Sequence, residues 1–208
     1  MDQQGPGRRA LIEAAERLVA EHGPAVSLRQ VVAAAGQRNS AAIRYHFGTR
    51  QDLIAAVVDA RQSVFEPRRL ERLAALEADD RVTARSLVDA LLDPVFDHQR
   101  ANAPSYHARF MEKVRDYPGL DFMGRRDWTA TTLILRRLAA LSPPVPESHR
   151  ALHARSVVTV VFALLADLER EKYESRQERT LAEQFVLDTM LAVVNSATLA
   201  GASAWRPQ

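Results

Sequence analysis

The stretch SLRQVVAAAGQRNSAAIRYHFGTRQDL, residues 27–53, decides how this chain folds. It holds two short helix signatures and the start of a third. Ser27-Leu28-Arg29-Gln30 is a capping box, in which the Ser27 side chain takes the Gln30 backbone N–H and the Gln30 side chain reaches back. A short helix is expected from about Leu28 to Ala35, with Leu28, Val31 and Val32 turned inward. Gly36 ends it, because glycine tolerates the left-handed backbone at a helix C-terminus. Asn39 or Ser40 caps the next helix, which runs to about His46. There Ile43 and Phe47, four apart, anchor one side, and small Ala41 and Ala42 permit close approach. Arg44, Tyr45 and His46 supply donors and an aromatic edge. Thr49-Arg50-Gln51-Asp52 is another box-like start, opening a longer helix through Leu53, Ile54, Val57 and Val58.

Upstream, Leu11, Ala14, Ala15, Leu18 and Val19 form one face of a helix from about Arg8 to Glu21, which His22-Gly23-Pro24 stops. A supporting helix followed by two short helices around a Gly-containing turn is a helix-turn-helix. Its second short helix must be polar on one side to enter the major groove of double-stranded DNA and apolar on the other to stay attached. Charge agrees with that reading. Residues 1–61 carry eight arginines, no lysine and six acids, and His22 to Gln51 holds four arginines and no acid. A polyanion favours such a window. The remainder, 62–208, carries 20 bases and 20 acids.

Residues 8–61 resemble the N-terminal domain of the TetR family of bacterial repressors. The likeness rests on the apolar first helix, the Ala35-Gly36 turn, Tyr45-His46-Phe47 closing the recognition helix, and Gly48-Thr49-Arg50 with Leu53 beyond. The spacing from Gly36 to Phe47 is one residue longer than in many members, so which of Gln37, Arg38, Asn39 and Ser40 meets a base and which a phosphate stays open. The resemblance implies phosphate contacts from Ser27 and Arg29, base contacts concentrated at Arg38, Asn39 and Ser40, and guanine reading by Arg44. It implies phosphate contacts from Tyr45, His46, Thr49 and Arg50, the last two at a helix N-terminus. Each polar residue has a plainer reading as a solvated surface position, and Tyr45 as partly core.

Beyond Leu53 the apolar periodicity is helical almost everywhere, with no convincing alternating strand. The fourth helix is expected to end or kink near Pro67, which lacks an N–H donor, and to resume as far as Glu77. Further helices are expected at about 82–100 with a kink at Pro94, 104–116, 124–141, 147–172 and 180–199, the last opened by a capping box at Thr180-Leu181-Ala182-Glu183. The fold class is therefore all-α: a DNA-binding head over 1–61 and a larger helical effector-binding and dimerisation domain over 62–208.

The resemblance implies that this larger domain holds a small-molecule pocket and the dimer interface. Large side chains gather mid-chain at Phe96, Tyr106, Phe110, Met111, Phe122, Met123 and Trp128, as an ordinary core or as pocket walls. Phe96, Tyr106, His107, Phe110, Trp128 and Thr132 are the pocket candidates, with Arg109 as a further polar group. Val161, Leu165 and Leu168, with Phe185, Met190 and Val194 on the last helix, either complete the chain's own core or pair with their copies as a four-helix bundle. His149 and His153 have a chelating spacing but no third ligand, and read as two surface histidines.

Composition narrows the rest. At 47% hydrophobic, 208 residues bury a substantial core. With no cysteine there are no disulfides and no thiolate metal sites, and the chain suits a reducing cytoplasm. No signal peptide is visible, and the longest apolar run, Val157 to Ala166, is short of the roughly 20 residues that span a bilayer. No Gly-rich phosphate loop, nucleophile elbow or HExxH supports an enzyme, and no cofactor or metal is expected. The expected function is a dimeric transcriptional repressor released from a near-palindromic operator by a small organic effector. A constitutive DNA-binding dimer without effector is the alternative, and an enzyme with an incidental helix-turn-helix the weaker one.

Overall fold

Capping boxes fix three of the helix starts, and distant carboxylates fix two others. The structure is a computed structural model that describes residues 5–37, 41–118, 120, 128–142 and 144–196. Among the described residues there are nine helices and no strand, in keeping with the all-α expectation. They are α1 (Pro6–His22), α2 (Leu28–Ala34), α3 (Ala41–Phe47), α4 (Arg50–Ala78), α5 (Ala84–Ala101), α6 (His107–Val114), α7 (Thr129–Leu141), α8 (Glu147–Arg170) and α9 (Arg176–Asn195).

Local signals work as expected in the first 50 residues. Gly23, at φ +84°, stops α1. The Ser27 box caps α2, with Gln30 N–H to Ser27 Oγ at 3.2 Å and Ser27 N–H to Gln30 Oε1 at 2.9 Å. Gly36, at φ +67°, closes α2, with its own N–H on Ala33 O and the Gln37 N–H on Val32 O, both at 3.0 Å. That pair of bonds is the Schellman arrangement. Thr49 caps α4 in a box with Asp52, and Thr83 caps α5 in a box with Ser86.

Helix α4 departs from expectation. It runs unbroken for 29 residues, through Pro67, to a left-handed Asp80. A proline inside a helix costs about 3 kcal/mol. Tertiary contacts on both sides outweigh it: Phe65 is fully buried, and Arg69 donates to Leu91 O of α5 and to Thr131 Oγ1 of α7. Pro94 likewise lies inside α5, on its buried side. The start of α9 is a second correction. Ser175, not Thr180, is the N-cap, accepting the Glu178 N–H, and Thr180 donates its hydroxyl to Arg176 O within the helix. Ser175-Arg176-Gln177-Glu178 is another Ser-x-x-Glu box pattern, and the good helix formers between the two sites let the helix begin at the earlier one.

Helices α6 and α7, which have no side-chain cap of their own, borrow one from a distant carboxylate. The first N–H groups of α6, on Ala108 and Arg109, are taken by the Glu169 carboxylate of α8 at 3.2 and 3.0 Å. Those of α7, on Ala130 and Thr131, are taken by Glu66 of α4 at 2.8 and 3.3 Å. A carboxylate at a helix N-terminus satisfies orphan donors and meets the positive end of the helix dipole.

The apolar side chains gather in two clusters. One joins α1, α2, α3 and the first half of α4 to Phe110, Met111 and Val114 of α6 and to Trp128. The other joins Phe65 and Leu73 of α4 to α5, α7, α8 and α9. Position 61/62 therefore falls inside a continuous helix. Leu165, Leu168, Met190 and Val194 are buried in the second cluster, so one chain already covers them. From Val157 to Leu164 the apolar side chains of α8 are only half-buried, and Leu181 and Phe185 of α9 are both 64% exposed. By length and composition α8 is apolar enough to cross a membrane, with mean hydropathy 1.6 over 18 residues, although its contiguous apolar run is shorter. Here it packs against α6 and α9.

Gly36 has nothing within 4 Å of where a Cβ would sit, so strain there is purely conformational. We expect Gly36→Ala to lower stability by about 1–2 kcal/mol, the cost of a left-handed L-residue, and Gly36→Asn by less. Urea unfolding of the two variants checks this. Equal midpoints for Ala and wild type would refute it.

Candidate nucleic-acid interface and internal cavity

Four residues of sequence separate Gly36, which stops α2, from Ala41, the first residue of α3. α3 is seven residues, about 10 Å long. Ile43 and Phe47 point into the core beside α1. The Arg8 guanidinium lies 4.9 Å from the centre of the Phe47 ring, and the Gln37 side chain lies beside Gly7, so the start of α1 braces both ends of the turn. A Cβ on Gly7 would come within 3.3 Å of Gln37 Nε2.

Tyr45 is 85% exposed, which removes its partly-core reading. Its ring meets His46 edge-on at 5.0 Å, and His46 is half-buried. Ser27, Arg29 and Thr49 are exposed. Arg50 has a duty the sequence did not suggest: its Nη1 donates to Pro24 O at 2.9 Å and to Val26 O, clipping the loop before α2 onto the start of α4. Arg38, Asn39 and Ser40 lie outside the described residues, and so does the side chain of Arg44. What is described is a short helix with an apolar side held down, an aromatic and an imidazole on the other, and a capped helix N-terminus next to it. Such a surface suits a groove flanked by phosphates.

Behind the head, a cavity of about 120 Å³ opens among α4, α5, α6, α7 and α8. Of the six pocket candidates, His107 and Trp128 line it. Phe96 and Phe110 are instead fully buried as packing, and Tyr106 is half-buried under the Arg109 guanidinium, 4.9 Å from its ring centre. Thr132 is half-buried but off the wall, where Thr131 stands in its place, since one residue turns a helix by about 100°. Arg109 is drawn to Glu169 and to Ser105 O.

Gln62, Arg69 and Thr131 are the polar wall residues that sequence reading missed. Gln62, Phe65, Arg69 and Leu73 fall on one helical stripe of α4, so polar groups at core positions were the available signal. Arg69 is 6% exposed. Its Nη1 donates to Gln62 at 2.7 Å, Thr131 at 3.0 Å and Glu66 at 3.3 Å. Burial draws its pKa down against the pull of Glu66. A larger cleft, about 880 Å³, lies between the end of α5 and the α8–α9 connection. It is open and polar, and its Arg100, Arg109, Arg170 and Arg179 are already paired with Glu183, Glu169 and Glu112. His149 is exposed and His153 half-buried, and among the described residues no three His, Asp or Glu side chains gather as a metal site.

Head and cavity meet at a buried carboxylate. Glu16 of α1 is 4% exposed. Arg61 of α4 grips both its oxygens, with Nε to Oε1 at 2.7 Å and Nη2 to Oε2. His107 of α6 places Nδ1 3.5 Å from Oε1. Burial alone would raise the Glu16 pKa. The Arg61 hydrogen bonds, the neighbouring His107 and both charges outweigh it, and the value falls from 4.5 to about 2. His98, whose ring lies 6.2 Å from that of His107, goes from 6.5 to about 4, through burial first and then the positive charge of Arg61.

Compared with known proteins, residues 11–57 match the family described as bacterial regulatory proteins, tetR family. No curated protein matches the chain.

Two acid windows follow for stability. His98 has a folded pKa below its unfolded one, so its contribution is complete above pH 6.5 and is lost as pH falls towards 4. Glu16, also depressed, contributes fully above pH 4.5 and loses that as pH falls towards 2. Each is worth on the order of 3 kcal/mol. Urea unfolding from pH 7 to pH 3 should show the fall, and Glu16→Gln should flatten its lower part. A flat profile in the wild type would overturn the assignment.

Proposed function

We propose that this chain, whose residues 11–57 match the tetR family of bacterial regulatory proteins, is a DNA-binding transcriptional regulator: a dimeric repressor, released from a near-palindromic operator by a small organic molecule in the internal cavity. The observation that carries the proposal is the double position of His107. It lines the cavity, and it touches the buried Glu16 that anchors the head's first helix to α4. A molecule that displaces this ring acts on the same ion pair that sets the angle of the head.

In this reading residues 1–61 form the head and 62–208 the effector and dimer unit, with α4 shared between them. Arg44 reads a base, Gln37, Arg38, Asn39 and Ser40 divide base and phosphate contacts among them, and Ser27, Arg29, Tyr45, His46, Thr49 and Arg50 hold phosphates. Arg50 commits Nη1 to the loop before α2 and keeps Nε and Nη2 for the backbone of the DNA. The half-buried apolar run of α8, with exposed Leu181 and Phe185 of α9, is the surface a second copy covers. A two-fold axis there presents two heads to inverted half-sites about one helical turn apart, or a multiple of it. The protein works in the cytoplasm, and regulation rather than catalysis is its activity.

Selection from a random duplex pool by the full chain should enrich an inverted repeat. An unenriched pool with only weak, steeply salt-dependent binding would refute specific repression. Arg44→Ala should lose about 1–3 kcal/mol of discrimination at one base position, read as a roughly fivefold or greater fall in specific affinity with unchanged circular dichroism. Phe185→Glu should yield monomers in sedimentation; a persistent dimer would place the interface elsewhere.

A further inference from the structure

We propose that the cavity beside Arg69 takes a neutral, one-ring apolar molecule bearing a carbonyl group, whose oxygen accepts hydrogen bonds from Arg69 Nη2 and Gln62 Nε2. This rests on the reading of the cavity as the effector site and specifies its chemistry.

The polar wall has donors left over. Arg69 and Gln62 are both buried, and both line the cavity. A guanidinium carries five N–H donors, accepts nothing and stays protonated in proteins. Burial works against that charge, and the Glu66 carboxylate at 3.3 Å works for it. Arg69 Nε is taken by Leu91 O, and the two hydrogens of Nη1 are shared by Gln62, Thr131 and Glu66. Nη2 makes no hydrogen bond among the described residues. Because arginine only donates, Gln62 turns its oxygen to Nη1, which fixes its amide nitrogen as a second donor. Among the described residues that nitrogen has no acceptor either. Thr131 cannot supply one, since its hydroxyl accepts from Arg69 and gives its hydrogen to Glu66. A buried donor left unmet is costly, and a carbonyl oxygen has two lone pairs and no hydrogen of its own to place.

The remaining wall selects size and charge. Leu92, Val95, Met111, Phe162 and Leu165 make it mainly apolar. At about 120 Å³ it is near the roughly 150 Å³ of a hydrocarbon-lined cavity that accepts benzene, hence one ring. An ammonium group would bring more donors to a wall in surplus and would face the Arg69 charge. A carboxylate would find that charge already met by Glu66, and His107 already facing Glu16. A buried anion without a partner of its own is expensive. An uncharged carbonyl meets neither objection.

The test titrates the full chain in a calorimeter with cyclohexanone, with its isostere methylenecyclohexane, and with cyclohexanecarboxylate. Both neutral rings should bind, with the carboxylate weakest. The ketone-to-alkene affinity ratio separates the oxygen from the ring. Arg69→Met, made together with Glu66→Gln so that no buried carboxylate loses its partner, should lower that ratio about tenfold relative to Glu66→Gln alone, the worth of one hydrogen bond to a charged group. Since the double variant can fail to fold, the infrared carbonyl stretch of 13C-labelled cyclohexanone on excess wild-type chain is the second readout. It should lie below its position in hexane, as a hydrogen-bonded carbonyl does. An unchanged ratio, tightest binding of the carboxylate, no binding of either neutral ring, or a hexane-like stretch would each overturn the proposal. Fluorescence anisotropy on the selected operator separates the two readings. DNA binding with no Arg69-dependent ketone preference removes this inference and leaves the regulator, whereas the preference without specific DNA binding does the reverse.

Discussion

A carboxylate held ionised where three helices meet is the constraint from which the rest of the arrangement follows. Glu16 belongs to α1, Arg61 to α4 and His107 to α6, and the carboxylate meets both of the others. A buried charge without its partner costs several kcal/mol, so none of the three helices can withdraw alone without a penalty of that size. The guanidinium fork grips both oxygens, which sets direction as well as distance. Apolar packing of Leu11, Ala15, Val57, Phe110 and Met111 around the same joint supplies the adhesion, and the ion pair supplies the angle.

Helix α4 carries that angle across the molecule. Its first turns, capped by Thr49 and Asp52, lie beside α3 and hold the loop before α2 through Arg50. Its later turns put Gln62 and Arg69 into the cavity wall and Glu66 under α7. A break at Pro67 would separate these roles. The continuous helix instead makes one rigid element answerable to both ends, stabilised past its proline by the burial of Phe65 and the bonds of Arg69.

What was legible in the sequence was what is local. Ser27 with Gln30, Thr49 with Asp52, and Gly23 and Gly36 act within a few residues of themselves, so the head could be read to within about two residues. The starts of α6 and α7 could not be read from caps, because Glu169 and Glu66 come from about 60 residues away. The cavity wall was misread for a related reason. Phe96 and Phe110 drew attention by size, yet bulk is what a core absorbs, and the wall's character comes from Gln62, Arg69 and Thr131 standing where a stripe would otherwise be apolar. Leu165 and Met190 could not be told from Phe185 by type, since only packing decides which side of a helix is already covered.

The borrowed cap of α6 has a mechanical meaning. Two of its leading amides hang from one carboxylate on α8, and its flank rests on α1. Sliding α6 by one turn, about 5.4 Å, would take both amides out of reach, whereas swinging it about that end keeps both bonds. The helix is thus a short arm on a pin. Eight residues make an arm of about 12 Å, so a swing of roughly 10° carries its free end about 2 Å. The free end is Val114, lodged in the apolar cluster it shares with α1. Small rotations begun at the pin are therefore delivered, at their largest amplitude, to the underside of the head.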